Sequence, residues 1–327
     1  VTRICIFGAG AIGGYLGARL AISNADVSLV ARGPHLAAIR QNGLTLIEGG
    51  ERTTQKLVAV ENPADLGPQD FVIVTLKAHS IPAVVETLQP LLGKNTAVVF
   101  AVNGVPWWYF HGLNGTFADR RLETVDPGGL IWNRVDPKRA IGCVVYPAAE
   151  VVEPGLIRHI SGSRFSLGEP DGQKTERVTR LSKIFATAGL KAPVRPRLRD
   201  EIWIKLWGNA TLNPISALTG ATLAQMIADP ATASIIRSIM EELQAVGEAL
   251  GAKFSVSIDK RMAGAAAVGE HRTSMLQDLE AGRPMEIDAL VAAVQELGQL
   301  AGCATPNLDV ILALVQQKAR LHGCYGG

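Results

Sequence analysis

Cysteine is scarce, with four in 327 residues. Cys5, Cys143, Cys303 and Cys324 are far apart and show no C-x-x-C spacing. That argues against a disulfide framework and fits free thiols in a reducing cytoplasm. Histidine is nearly as rare, at six residues, and neither residue type shows the spacing of metal ligands, so no metal is expected. Neither sign of charge dominates: the formal net charge is +2. With no basic tract, nucleic acid and an anionic membrane surface are poor partners. No apolar run reaches the roughly 20 residues of a membrane span. The chain enters strand-like sequence almost at once, so no secretory signal is expected and the location is read as cytoplasmic. The N-x-T triplets at Asn114 and Asn209 are then chance matches. Internal repeats and low-complexity tracts are also missing.

What remains is an ordinary globular composition, 47% hydrophobic and 19% charged, long enough for two cores. Its most informative stretch comes first. Ile4 to Phe7 reads as a short buried strand, and Gly8-Ala9-Gly10-Ala11-Ile12-Gly13 follows directly. Tyr15, Leu16, Ala18 and Leu20 continue as a helix. In a dinucleotide site Gly8 allows the tight turn, Gly10 lets the backbone approach a pyrophosphate, and Gly13 lets the helix pack close to the sheet. The helix N-terminus offers N–H groups and a positive dipole end to the phosphates. The alternative is a structural glycine turn, weakened by the strand before and the helix after.

The second strand candidate, Val27 to Ala31, ends in Arg32. An NAD site usually carries an acid there for the ribose 2′-OH. Arg32 suits a 2′-phosphate instead, which favours NADP(H); otherwise it is a surface arginine. Residues 35–41 read as a short helix ended by Gly43, residues 44–60 as a pair of short strands, and 71–77 as a buried parallel strand. Lys77 falls at the carboxyl end of that strand, where it either touches the cofactor or is solvated. Residues 81–92 read as helical, 97–102 as the next strand, and Asn103-Gly104 as its end. Asn103 suits a place near the nicotinamide or a substrate carbonyl, or is a turn asparagine. The aromatic run Trp107-Trp108-Tyr109-Phe110 reads as core or interface packing rather than chemistry, and is expected over a cleft mouth or a subunit contact and not in bulk solvent. Further strands are expected over 141–146, 156–160 and 164–167, and a helix over 175–188.

Beyond the Pro193–Pro196 connector the pattern is helical, over 199–207, 222–227, 231–250, 257–267, 285–301 and 307–322. The expected domains are therefore 1–196 and 197–327, with the active site in the cleft between them. Lys205, Asn209 and Asn213 stand at i, i+4 and i+8, a polar row on one helical face among apolar neighbours. Spacing alone leaves that row open between a solvent-facing edge and a site. Glu286 and Asp288 could be first-turn acids of the helix beginning near Met285.

Together GAGAIG at the N-terminus, TLKA at 75–78, Asn103-Gly104, K-x-x-x-N-x-x-x-N at 205–213, and SML-x-D followed by RPMEID resemble the ketopantoate reductase family over nearly the whole chain. The resemblance implies an α/β fold: an N-terminal Rossmann-type parallel-sheet domain followed by an all-helical C-terminal domain. It implies NADP(H) held by Gly8, Ala9, Gly10, Ala11, Ile12, Gly13, Arg32, Lys77 and Asn103. It further implies Lys205 as general acid with Glu286 beside it, and Asn103, Asn209, Asn213 and Ser274 binding a small 2-oxo acid, in pantothenate biosynthesis. A homodimer stays open. The competing readings are a related NADP-dependent dehydrogenase acting on another hydroxy or oxo acid, and a non-catalytic NADP(H) sensor. The run from Val105 to Phe110 departs from the short polar stretch that many members carry after Asn-Gly.

Overall fold

The computed structural model describes residues 1–326. The chain divides into two compact units: residues 1–121 with 126–198, and residues 122–125 with 199–327.

The first unit is built on a seven-stranded sheet. Its strands are β1 (Arg3–Phe7), β2 (Asp26–Val30), β5 (Val58–Val60), β6 (Gln69–Val74), β7 (Leu92–Phe100), β8 (Ala140–Val145) and β11 (Phe165–Gly168). They lie in the order β11-β8-β7-β6-β1-β2-β5, parallel except for the edge strand β11. The apolar runs at 4–7, 71–74 and 97–100 are buried throughout, as parallel strands covered on both faces require. The order reverses at β1. The chain leaves β1 toward β2 and returns to β6 on the other side, the topological switch at which α/β sheets bind ligands.

Helix α1 (Ala11–Ile22) lies between this sheet and a second one. The smaller sheet runs β4 (Glu51–Gln55), β3 (Leu44–Glu48), β10 (Leu156–Ser161), β9 (Ala148–Glu153). A side chain at Gly17 would meet Leu29 of the large sheet, and one at Gly14 would meet Ile157 of the small sheet. Small residues on both sides let α1 be buried from Gly13 to Ala18. Tyr15 stacks on His159 with centroids 4.6 Å apart, and Arg19 pairs with Glu48 at 2.8 Å, so the small sheet is fastened to α1. Residues 44–60 thus hold three strands rather than a pair, two of them in the small sheet and one in the large. Helices α2 (Gly33–Asn42), α3 (Leu130–Val135) and α4 (Glu176–Thr187) complete the unit. The helical stretch expected at 81–92 is a 3₁₀ helix, Pro82–Leu91, with Pro90 inside it.

The second unit is all helical: α5 (Leu198–Thr219), α6 (Leu223–Ala228), α7 (Pro230–Ala249), α8 (Ile258–Ala267), α9 (Ser274–Glu280), α10 (Ala293–Ala301) and α11 (Pro306–Leu321). Helix α5 is central. Trp203 and Trp207 on it are fully buried, Trp207 packs on Phe254 at 4.4 Å, and its indole N–H donates to the Met240 carbonyl at 2.8 Å. Thr222, Asp229, Ser257 and Thr273 cap the helices that follow them. The carboxylate of Glu296 on α10 accepts the N–H groups of Glu123 and Thr124, which ties residues 122–125 to this unit. Among the described residues, no helix is long and apolar enough to cross a membrane.

Candidate active site

The glycine loop leaves the carboxyl end of β1 at the switch point. Gly8 has φ +106°, and a Cβ there would stand 2.6 Å from Leu76 Cδ2. Only glycine takes that turn without strain. The Gly8 N–H donates to the Val30 carbonyl at 3.1 Å, and the Thr75 hydroxyl donates to the Gly8 carbonyl at 2.5 Å. A Cβ on Gly13 would overlap both that carbonyl oxygen and Thr75 Oγ1. Gly10 differs: no heavy atom lies within 4 Å of where its Cβ would be. Packing within the protein therefore does not explain this glycine, and its backbone is open on the side where a dinucleotide-binding loop meets a pyrophosphate. Gly10 is the N-cap of α1, with no side-chain cap and no acid in the first turn, so the positive helix end is left to an anion. Ala9 is buried beneath the loop, and Ala11 and Ile12 are half-buried.

Register places the other cofactor candidates at the same edge. Phe7 pairs with Val30 of β2 and with Val74 of β6, and Val74 pairs with Phe100 of β7. Arg32, Lys77 and Asn103 follow two or three residues after those strand ends. Arg32 is exposed and forms the N-cap of α2, while Asp26 lies at the opposite end of β2. Asn103 is half-buried and precedes Gly104, which has φ +95°.

His35 is a residue at this edge that sequence reasoning missed. Its Nδ1 accepts the Gly155 N–H at 3.0 Å, so the ring is neutral with its proton on Nε2. Burial holds its pKa below the usual value, and the Ala9 backbone acts the other way. Nothing periodic in the sequence marks His35; its contacts lie 26 and 120 residues away along the chain.

In the helical unit, Lys205, Asn209 and Asn213 lie on one unbroken helix, because α5 runs past Trp207 to Thr219 with Pro214 inside it. Lys205 and Asn209 are half-buried, and Asn213 is only 6% exposed. A buried asparagine at the end of the row is not a solvent-facing edge. Ser274 is exposed and opens α9, a helix not expected from the sequence, just after its N-cap Thr273. The helix expected from Met285 begins instead with a wide π turn, Asp288–Ala292, so Glu286 precedes it, half-buried between the buried Met285 and Ile287. Asp288 accepts the Tyr325 hydroxyl at 2.6 Å. Burial first, and then Asp288, push the Tyr325 pKa up to about 12. Asp288 is thus accounted for structurally, and Glu286 is not a first-turn acid.

The aromatic run is packed and not in bulk solvent, as its reading as core packing has it. Trp107, Trp108, Tyr109 and Phe110 are all buried in the sheet unit, against Phe100, Trp132 and Phe117 and over Gly142. Four large apolar side chains in sequence find enough area within their own unit to be covered there. All four cysteines are free thiols, and burial raises the Cys5 pKa to about 12.

The chain matches the family described as ketopantoate reductase PanE/ApbA over residues 4–172, and its C-terminal counterpart over residues 197–319. It is 58% identical to a 2-dehydropantoate 2-reductase of Mesorhizobium japonicum over 324 residues, covering 99% of both chains. Among solved structures it resembles a Ralstonia solanacearum MolK2 protein classed with the ketopantoate reductases, at 44% identity and TM-score 0.94, over 99% of this chain and 100% of that one. It also resembles the 2-dehydropantoate 2-reductase of Geobacter metallireducens GS-15, at 28% identity and TM-score 0.84, over 96% and 99% of the two chains.

Proposed function

The chain belongs to the ketopantoate reductase family, and on that footing we propose that it reduces 2-dehydropantoate to pantoate with NADPH, using Lys205 as the general acid. The loop from Gly8 to Gly13 and the α1 N-terminus would hold the pyrophosphate, Arg32 the 2′-phosphate, and Lys77 and Asn103 the nicotinamide side. When bound, NADPH supplies the hydride. The protein orients the ketone and provides the proton. The Lys205 ammonium donates a hydrogen bond to the ketone oxygen, stabilises the charge that develops there, and gives up the proton as alkoxide forms. Glu286 orients that amine and the product hydroxyl. Asn209, Asn213 and Ser274 hold the substrate through neutral hydrogen bonds, together with Asn103.

The polar row on α5 carries this reading, because a lysine and two asparagines stand at one-turn spacing on a helix that is mostly buried from Ile202 to Ala217. The test is NADPH oxidation by ketopantoate against a panel of other 2-oxo acids. Lys205→Ala should lower turnover by about 10²–10⁴ while NADPH still binds. Near-normal turnover in that variant would remove Lys205 from the chemistry.

A further inference from the structure

The glycine loop has two sides. Gly10 keeps the outer one open. The inner one rests on the small sheet. A Cβ at Gly14 would stand 2.7 Å from Ile157 of β10 and 3.3 Å from the Ala9 carbonyl oxygen, so that carbonyl lies on the side of α1 that faces the small sheet.

The turn between β9 and β10 holds Gly155 at φ +80°, with Ala38 of α2 3.1 Å from where its Cβ would be. Both of its backbone groups are used. Its carbonyl accepts the Thr45 N–H at 2.9 Å, and its N–H donates to His35 Nδ1 at 3.0 Å. His35 stands in the first turn of α2, the helix that Arg32 caps. The cofactor end of α2 is therefore fastened to the small sheet through this ring.

The other ring nitrogen is left over. With Nδ1 accepting, Nε2 carries the proton. That nitrogen is buried and has no hydrogen-bond partner among the described residues. A buried N–H without an acceptor is rare, because nothing offsets its loss of water. The Ala9 backbone favours a proton on the ring, as a carbonyl acceptor does, yet it stands outside hydrogen-bond geometry. A donor thus waits beside the inner side of the loop.

We propose that His35 is a positioning residue for NADPH: it braces the glycine loop from within, and seating of the pyrophosphate on the loop brings the Ala9 carbonyl onto its Nε2–H. This rests on the reading of Gly8 to Gly13 as the pyrophosphate loop given above. A contact made only in the bound form adds to affinity, since it separates the two states of the loop in free energy.

The test sets His35→Asn and His35→Gln beside the unaltered enzyme. An asparagine Oδ1 falls near the place of Nδ1 and still accepts from Gly155, but nothing then reaches the place of Nε2. A glutamine amide reaches the place of Nε2 and gives up the acceptor for Gly155. His35→Asn should nearly keep its melting temperature and bind NADPH roughly 10-fold more weakly by fluorescence titration. His35→Gln should melt lower and bind NADPH within about threefold of the unaltered enzyme. Adenosine 2′-phosphate, which lacks the pyrophosphate, should bind all three alike. In the unaltered enzyme with ¹⁵N-labelled histidine, the Nε2–H signal should move downfield when NADPH is added, while Nδ1 stays unprotonated. An unchanged NADPH Kd in His35→Asn would overturn the proposal. An equal loss for adenosine 2′-phosphate would also overturn it, by showing a displaced α2 in place of a braced loop. An Nε2–H signal indifferent to NADPH would overturn it without recourse to any variant. If the unaltered enzyme binds no NADPH, the cofactor reading falls and this inference with it. Tight binding there with an indifferent His35→Asn removes His35 alone.

Discussion

The Thr75 hydroxyl donates to the Gly8 carbonyl at 2.5 Å, and that carbonyl fills the space a side chain at position 13 would need. The loop is closed from inside by its own backbone, whereas Gly10 faces open space. Substitutions at the two glycines should therefore separate stability from binding. Gly13→Ala forces a Cβ into backbone that cannot swing aside, so it should cost about 3 kcal/mol, the upper end for overpacking, and weaken NADPH binding as well. Gly10→Ala should stay within about 1 kcal/mol of the parent, the order of a lost helix cap, yet bind NADPH at least tenfold more weakly. Urea unfolding and NADPH fluorescence titration measure the two quantities. Equal destabilisation by both substitutions would mean that the space at Gly10 is not kept for a ligand.

Arg32 tests the choice of cofactor. Its side chain is exposed, and it caps α2 through its backbone without a side-chain bond. Arg32→Ala should leave stability within about 0.5 kcal/mol, as surface substitutions usually do. It should raise the Kd for NADPH roughly 10- to 100-fold and leave that for NADH nearly unchanged, because only the first carries the 2′-phosphate. Raised salt should shrink the difference between parent and variant, since the lost contact is an exposed ion pair. Parallel losses for both cofactors would place Arg32 away from the phosphate.

Local signals account for most of what was legible. The glycine loop, the parallel strands at 71–74 and 97–100, and the helices at α4, α7 and α11 each carry their pattern within a dozen residues or so. The small sheet does not. Its strands come from 44–55 and 148–161, and what brings them together is α1, with Gly14 under Ile157 and Tyr15 on His159. Strand β9 is mostly exposed and so lacks the alternation that marks a half-buried strand. Helix α9 has only seven residues, too few for helical periodicity to declare itself. The row at 205, 209 and 213 could be read as a face, but the burial of Asn213 could not, because burial is set by neighbours distant along the chain.

His35 should make stability fall on mild acidification. Its neutral ring accepts the Gly155 N–H, and protonation would remove that acceptor and place a charge where burial disfavours it. The folded pKa lies below the ordinary 6.5. Between the two values the unfolded chain binds more protons than the folded one, so stability rises with pH there. This contribution is complete above about pH 6.5 and is lost as the pH falls toward the folded value. Melting temperatures of the parent and of His35→Gln between pH 5 and 7 isolate it. The difference between them should narrow as the pH drops, and a constant difference would exclude titration of His35.

Trp108 decides between packing and substrate contact for the aromatic run. It is 2% exposed, and its ring edge lies 2.6 Å from where a Cβ at Gly142 would stand. The sheet at β8 is thus cleared of a side chain to receive the indole. Its neighbours in sequence are held the same way, Trp107 edge-on to Phe100 at 5.5 Å and Phe110 stacked on Phe117 at 5.4 Å. Trp108→Ala should open a cavity and cost about 3–5 kcal/mol. The folded fraction should keep the parent KM for ketopantoate and NADPH, because the ring belongs to the core of the sheet unit. A side chain that lined the substrate site would behave the other way, with KM shifted and stability nearly intact. Thermal unfolding measured beside initial-rate kinetics on the same preparation tells these apart.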